Sequence, residues 1–299
     1  MDDRIYNDLK KILGDDCRKN EPMSAHCSFK TGGNAAVFAE PSSEGQLAEL
    51  VCTIKKVGVP YFVIGRGSNL LVPDDGYDGV IINIGKKMSD IKISGCKIYA
   101  EAGASLAAVA AAALGESLEG MEFASGIPGS VGGAVYMNAG AYGGEMKDIV
   151  ISSRYVAADG SICEISGAKH DFGYRKSVFC NGGIIVSSVL QLTRGNSDAI
   201  KAKMTELNAK RREKQPLEYP SAGSTFKRPE GYFAGKLIQD SGLAGFSVGG
   251  AAVSEKHCGF VINKGGATSA DILAVIDFVR STVYDKFGVM LEPEVKILR

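Results

Sequence analysis

Two glycine-bearing segments are the parts of this 299-residue chain best suited to chemistry. The first, Gly65-Arg66-Gly67-Ser68-Asn69-Leu70, directly follows the apolar run Tyr61-Phe62-Val63-Ile64. A Gly-x-Gly turn at the end of a buried strand lets backbone N–H groups approach a phosphate, because no Cβ intervenes. Ser68 and Asn69 add side-chain donors. The dinucleotide fingerprint of open α/β sheets does not fit. Its sixth position is Leu70 here, and Pro73-Asp74-Asp75-Gly76 stands where a helix should start. Taken alone, the segment is equally well a tight structural turn. The second, Gly126-Ile127-Pro128-Gly129-Ser130-Val131-Gly132-Gly133, runs on to Asn138-Ala139-Gly140 and is more unusual. Pro128 stiffens it and its glycines permit left-handed conformations. It enters a short helical stretch whose first N–H groups would suit a pyrophosphate. Ala139 and Gly140 leave room for a flat ring. Neither segment matches the phosphate loop of nucleoside triphosphatases.

Other chemistries find little support. Only three histidines occur, His26, His170 and His257, far apart, and the seven cysteines include no C-x-x-C pair. Metal sites and a disulfide framework are therefore not expected, and a reducing compartment, the cytoplasm, is. Lys and Arg number 34 against 34 Asp and Glu, so charge gives no reason to expect a nucleic-acid or membrane partner. The basic cluster 210–214 ends a helical pattern and suits its C-terminus. The charged N-terminus has no apolar region of a secretory signal, and the run Leu106–Leu114 is too short to span a bilayer. Nothing requires more than a monomer.

The elements that must position these loops are legible from periodicity. A helix is predicted over Arg4–Leu13, a strand over Ala36–Ala39, and a helix from a Ser43/Gln46 capping box to about Val57. With strand Tyr61–Ile64 this makes a β-α-β unit, residues 1–84. A second, mixed unit, 85–213, holds strand Lys97–Glu101, helix Ser105–Leu114, a hairpin turning at Asp159-Gly160, strand Ile184–Leu192 and helix Asn196–Glu213. A third, 214–299, holds helices Ala234–Asp240 and Ser269–Phe287, strand Phe260–Asn263 and a last strand Glu294–Leu298.

Gly65–Leu71, the second glycine segment, Tyr174-Arg175, Gly223-Ser224-Thr225-Phe226-Lys227 and Leu291-Glu292-Pro293-Glu294-Val295 occur together and in order. In this the chain resembles, from about Phe29 onward, the UDP-N-acetylenolpyruvoylglucosamine reductases. These are FAD- and NADPH-dependent enzymes of bacterial peptidoglycan precursor synthesis. The resemblance implies an α+β protein. Its first two domains would be the FAD-binding fold of the vanillyl-alcohol-oxidase (PCMH) type, and its third an α+β substrate-binding domain. The absence of an aromatic-rich insertion points to the compact, type II branch. It further implies non-covalent FAD held by Gly65, Arg66, Gly67, Ser68, Asn69 and Leu70 and by Gly126, Ile127, Pro128, Gly129, Ser130, Gly132, Gly133, Asn138 and Ala139. NADPH is the implied hydride donor, sharing the substrate's site in turn, and UDP-N-acetylglucosamine enolpyruvate the implied substrate. Arg175 would stabilise the developing charge, Ser224 would donate a proton, and Glu294 would act with Arg175. Lys227 and Arg228 would bind the diphosphate, and Tyr232 or His257 would help cover the substrate. Two rivals are an FAD oxidase of the same fold and a non-catalytic flavin carrier. An oxidase of this fold commonly tethers flavin through His or Cys, and no histidine lies in either glycine segment.

Overall fold

The computed structural model describes residues 3–298. The chain forms two compact units: Met1–Lys19 with Val37–Arg66 and Asp78–Arg211, and Asn20–Ala36 with Gly67–Tyr77 and Arg212–Arg299. The second therefore gathers two early segments, 20–36 and 67–77, onto the C-terminal third. A sequence division into three consecutive blocks separates them, because local periodicity carries no record of long-range pairing.

Helices Asp3–Leu13 and Glu44–Val57 belong to the first unit. Ser43 caps the second of these by accepting from the Gln46 N–H, while Gln46 Oε1 takes the N–H of Ser42 rather than of Ser43. Ile5 and Leu9 of the first and Leu47, Leu50, Val51 and Ile54 of the second are buried at helical spacing. A four-stranded sheet runs in the order Cys17–Pro22, Asn34–Ala39, Tyr77–Asn83, Tyr61–Ile64. The two strands joined by helix Glu44–Val57 are thus not neighbours; Tyr77–Asn83 lies between them, parallel to Tyr61–Ile64. Strand Cys17–Pro22 carries Arg18-Lys19-Asn20-Glu21, has no apolar alternation and occupies the sheet edge, so its sequence gives no strand signal.

A five-stranded antiparallel sheet follows, ordered Ile162–Ser166, Val150–Val156, Ile184–Gln191, Lys97–Glu101, Ile91–Ser94. Its first two strands form the hairpin expected around Asp159-Gly160. Helix Leu106–Gly115 is capped by Ser105, and helix Ser197–Lys214 ends at the basic cluster. Inside this unit His170 is fully buried and stacked on Phe172. Its Nδ1–H donates to Gly167 O, so Nε2 accepts from Ser153 Oγ. Burial pushes the imidazole pKa below its ordinary value, as it does for His257. An unfolded chain takes up these protons near pH 6.5 before the folded one does. Stability is therefore expected to be level above that pH and to fall on acidification through the lowered folded values. A melting series from pH 7.5 to 5 should show the decline, less steeply in His170→Gln.

The second unit packs a three-stranded antiparallel sheet, Ser247–Val248, Ala251–Val253 and Val261–Asn263, against helices Ala234–Asp240 and Ser269–Phe287. The long helix buries Ile272, Val275, Ile276, Val279 and Val283, each contributing about 1.5–3 kcal/mol. Asp74, from the stretch that broke the dinucleotide fingerprint, caps this helix. Its Oδ1 accepts from Ser269 N at 2.7 Å and its Oδ2 from Ala270 N at 2.9 Å. Asp74→Ala should lower stability by about 1–2 kcal/mol in denaturant titration. The final strand is shorter than expected: Lys296–Ile297 pairs in parallel with Leu70–Leu71, so Glu294 lies just before it.

Candidate active site

The two glycine segments meet inside the first unit. A Cβ on Gly65 would collide with Ser130 Oγ, so a side chain there would force that hydroxyl aside. The segment from Gly65 onward leaves strand Tyr61–Ile64, whose last residue is in register with Asn83. In the second unit a Cβ on Gly67, at φ +59°, would strike His26 O. Gly67 O in turn accepts from Ser28 N.

The polar groups left over along these segments fit a ligand rich in oxygen and nitrogen. The N–H groups of Arg66, Gly67, Ser68 and Asn69, and that of buried Ser130, have no acceptor among the described residues. Neither do two buried side-chain oxygens beside the first loop, Ser28 Oγ and Asn83 Oδ1, have a partner there. Buried polar oxygens without partners are costly, so Ser28 Oγ in the second unit and Asn83 Oδ1 in the first each call for a partner that the described residues do not supply. Ser28 and Asn83 carry no sequence signal; neither sits in a glycine segment, and only folding brings them to one.

The second segment differs from expectation. The N–H groups at the start of helix Val131–Tyr136 are not offered outward: Val131 donates to Ala104 O, Gly132 to Ala102 O and Gly133 to Ser130 Oγ. Gly132 is required by its approach to Ala102, with 2.8 Å between the two Cβ positions. Gly126 is pressed against Asn208 and Arg211 of helix Ser197–Lys214. Pro128 is exposed, and Ile127 and Gly129 are partly so. Asn138 is 2% exposed, and its amide is engaged inside the protein. It donates to Glu145 Oε2 and Gly173 O and accepts from Lys147 N. Ala139 is likewise buried, its N–H bound to Ala134 O. These contacts give the Asn138 amide a structural task.

Arg175 sits at φ +54° in a two-residue turn closed by Gly173 and Lys176, which bond each other in both directions. A left-handed non-glycine residue costs about 1–2 kcal/mol and is over-represented at functional sites. The guanidinium carbon lies 5.4 Å from the ring centre of exposed Tyr174. Glu145 is held below the ordinary carboxylate range, first by its hydrogen bond to Lys147, then by Asn138 and by the charges of Lys147 and Arg175.

The second unit brings Ser224, Glu294 and the first glycine segment together. Thr225, fully buried, donates its N–H to Gly259 O and accepts from Glu294 N at 2.8 Å and, on Oγ1, from Val261 N. Phe226 bridges to Pro293, and Lys227 N donates to Glu292 O. Segment 225–227 thus runs antiparallel to 292–294, with exposed Ser224 at its head. On the other side Glu294 O accepts from Asn69 Nδ2 at 3.2 Å, and Asn69 O from Lys296 N. Lys227 Nζ pairs with Glu292, and the Arg228 guanidinium lies 4.0 Å from the Phe233 ring centre. His257 Nδ1 accepts from Gly259 N, leaving Nε2–H as a neutral donor.

Comparison with known proteins gives these arrangements a family. A model described as an FAD binding domain matches residues 35–166, and one described as the C-terminal domain of UDP-N-acetylenolpyruvoylglucosamine reductase matches 215–298. A protein of that name from Clostridioides difficile strain 630 is 50% identical over 296 residues, covering 98% of this chain and 97% of that one. The chain belongs to the UDP-N-acetylenolpyruvoylglucosamine reductase family. The crystal structure of the Thermus caldophilus reductase superposes with a TM-score of 0.81 at 31% identity, covering 95% of this chain and 98% of that one. A glucose dehydrogenase, Phl p 4.0202, shares the fold alone: TM-score 0.53, 17% identity, 65% of this chain and 44% of that one. This reductase-family chain is an FAD-containing oxidoreductase, with an α+β FAD-binding fold followed by the family's C-terminal domain. Among the described residues no helix is long and apolar enough to cross a membrane, and no cluster of three His, Cys, Asp or Glu could hold a metal.

Proposed function

We propose that the chain reduces UDP-N-acetylglucosamine enolpyruvate to UDP-N-acetylmuramate at the expense of NADPH, in the cytoplasm, as a step of peptidoglycan precursor synthesis. The observation that supports it most is the hydrogen-bonded run Asn69–Glu294–Thr225, which joins a glycine segment to the neighbours of Ser224. Bound FAD would supply two-electron relay, taking hydride from NADPH and adding it to the terminal enolpyruvyl carbon. Such addition places negative charge on the adjoining carbon and its carboxylate. Arg175 neutralises that charge with its planar guanidinium fork. Its turn holds the fork in place before the charge appears, so little reorganisation is needed during reaction. Ser224 gives its hydroxyl proton to the adjoining carbon, which is basic enough in the intermediate to take it. Glu294 polarises the same centre. Its backbone is fixed on both sides, by Thr225 O and by Asn69 Nδ2. Lys227 and Arg228 serve the substrate's diphosphate, with Lys227 exchanging Glu292 for phosphate oxygen.

The reaction is tested by product analysis in D2O with NADPH. One deuterium at the carbon bearing the carboxylate is the expected pattern; the hydrogen added at the terminal carbon comes by way of the flavin N–H, which exchanges with solvent. No deuterium at the carbon bearing the carboxylate, or no UDP-N-acetylmuramate, would refute it.

A further inference from the structure

The turn that presents Arg175 is fastened at both ends to the chain leaving the second glycine segment. On one side Asn138 Nδ2 donates to Gly173 O at 3.0 Å. On the other, fully buried Ser177 donates its hydroxyl to Tyr136 O at 2.6 Å. Tyr136 is the last residue of helix Val131–Tyr136, and Asn138 lies two residues beyond it. Asn138 itself is locked at φ +45°, its other amide hydrogen bound to Glu145 Oε2 and its oxygen to Lys147 N. Glu145 is in turn tied to Lys147 Nζ at 2.8 Å and accepts the N–H of Asp148, closing a capping box. The turn itself does not favour Arg175: the backbone there is left-handed, a conformation easily lost for a non-glycine residue. The reciprocal Gly173–Lys176 bonds close the turn, and these two bonds anchor it to the chain leaving the second glycine segment.

We propose that Asn138 and Ser177 are positioning residues that clamp the Arg175 turn to the exit of the second glycine segment. They fix the guanidinium for charge stabilisation without touching substrate or cofactor. This rests on the role of Arg175 proposed above. The cofactor-contact role that family resemblance suggests for Asn138 is replaced by an indirect one. Only the half-reaction that builds negative charge on the substrate should feel the clamp. Misplacing a catalytic group by about 1 Å costs on the order of 10²-fold in rate.

The test separates the two half-reactions in the flavin-loaded enzyme by stopped-flow absorbance. Ser177→Ala, the milder change, and Asn138→Ala are each expected to slow flavin reoxidation by the enolpyruvyl nucleotide by about 10–100-fold. Flavin reduction by NADPH and the bound-flavin spectrum should stay within about two-fold of the unaltered protein, and Ser177→Thr should restore most of the rate. In an Arg175→Ala background the same substitutions should add no further slowing, because the group they position is gone. Further slowing of similar size in that background, or equal slowing of both half-reactions, would overturn the clamp and leave only a structural role. An Arg175→Ala enzyme that reoxidises at the ordinary rate would instead refute the charge-stabilising reading of Arg175. If Asn138→Ala fails to fold, Ser177→Ala and Ser177→Thr decide alone.

Discussion

Replacing Ser224 by alanine is expected to slow flavin reoxidation by the enolpyruvyl nucleotide by about 10²–10⁴-fold, the usual contribution of a positioned general acid. Flavin reduction by NADPH should be nearly unaffected, because no proton is delivered to carbon in that step. The geometry makes the substitution clean. Ser224 is exposed, whereas its neighbour Thr225 carries the bonds to Gly259, Val261 and Glu294 that hold the segment. Loss of the hydroxyl therefore removes the donor and leaves its frame. Ser224→Cys, with a weaker donor of lower pKa, should fall between the two. Rapid-mixing absorbance measures both half-reactions. Equal loss in both would show that Ser224 is not the proton donor.

Gly67→Ala is expected to weaken FAD binding by roughly 100-fold or to yield colourless protein. Two costs act at once. A left-handed backbone at φ +59° costs a non-glycine residue about 1–2 kcal/mol. A Cβ there also overlaps His26 O, a backbone atom that cannot swing aside as a side chain can. The loop must shift, and the N–H groups of Arg66 to Asn69, which have no acceptor among the described residues, shift with it. Gly58→Ala is the control. Gly58 caps helix Glu44–Val57 at φ +74° with nothing within 4 Å of a Cβ. It should lose about 1 kcal/mol of stability and keep its flavin. Equal flavin loss in both variants, read by fluorescence titration of the apoprotein, would mean that general destabilisation is responsible.

Regular elements were largely legible. Helix Ser269–Phe287 and helix Ala234–Asp240 were expected from the sequence, and the hairpin announces itself by Asp159-Gly160. The first glycine segment was readable as a candidate cradle, or equally as a tight turn, because strand, Gly-x-Gly and donors are adjacent. The second was readable as unusual but not in detail. Nothing local shows that Val131 and Gly132 spend their N–H groups on Ala104 and Ala102, since that depends on the turn after strand Lys97–Glu101 passing nearby. For the same reason Ser28 and Asn83 were invisible, as were the bonds of the Asn138 amide to Glu145, Gly173 and Lys147. Asp74 looked like an interruption; its partners, Ser269 and Ala270, lie nearly two hundred positions away. What the sequence withholds is long-range hydrogen bonding.

The flavin's colour tests the central claim most directly. Holoenzyme kept free of oxygen should lose its absorbance band near 450 nm on addition of about one equivalent of NADPH, and recover it on addition of UDP-N-acetylglucosamine enolpyruvate. Recovery with that compound, and not with UDP-N-acetylglucosamine, is the expected result. A protein that takes up no FAD, or whose bleached flavin ignores the enolpyruvyl nucleotide, would contradict it.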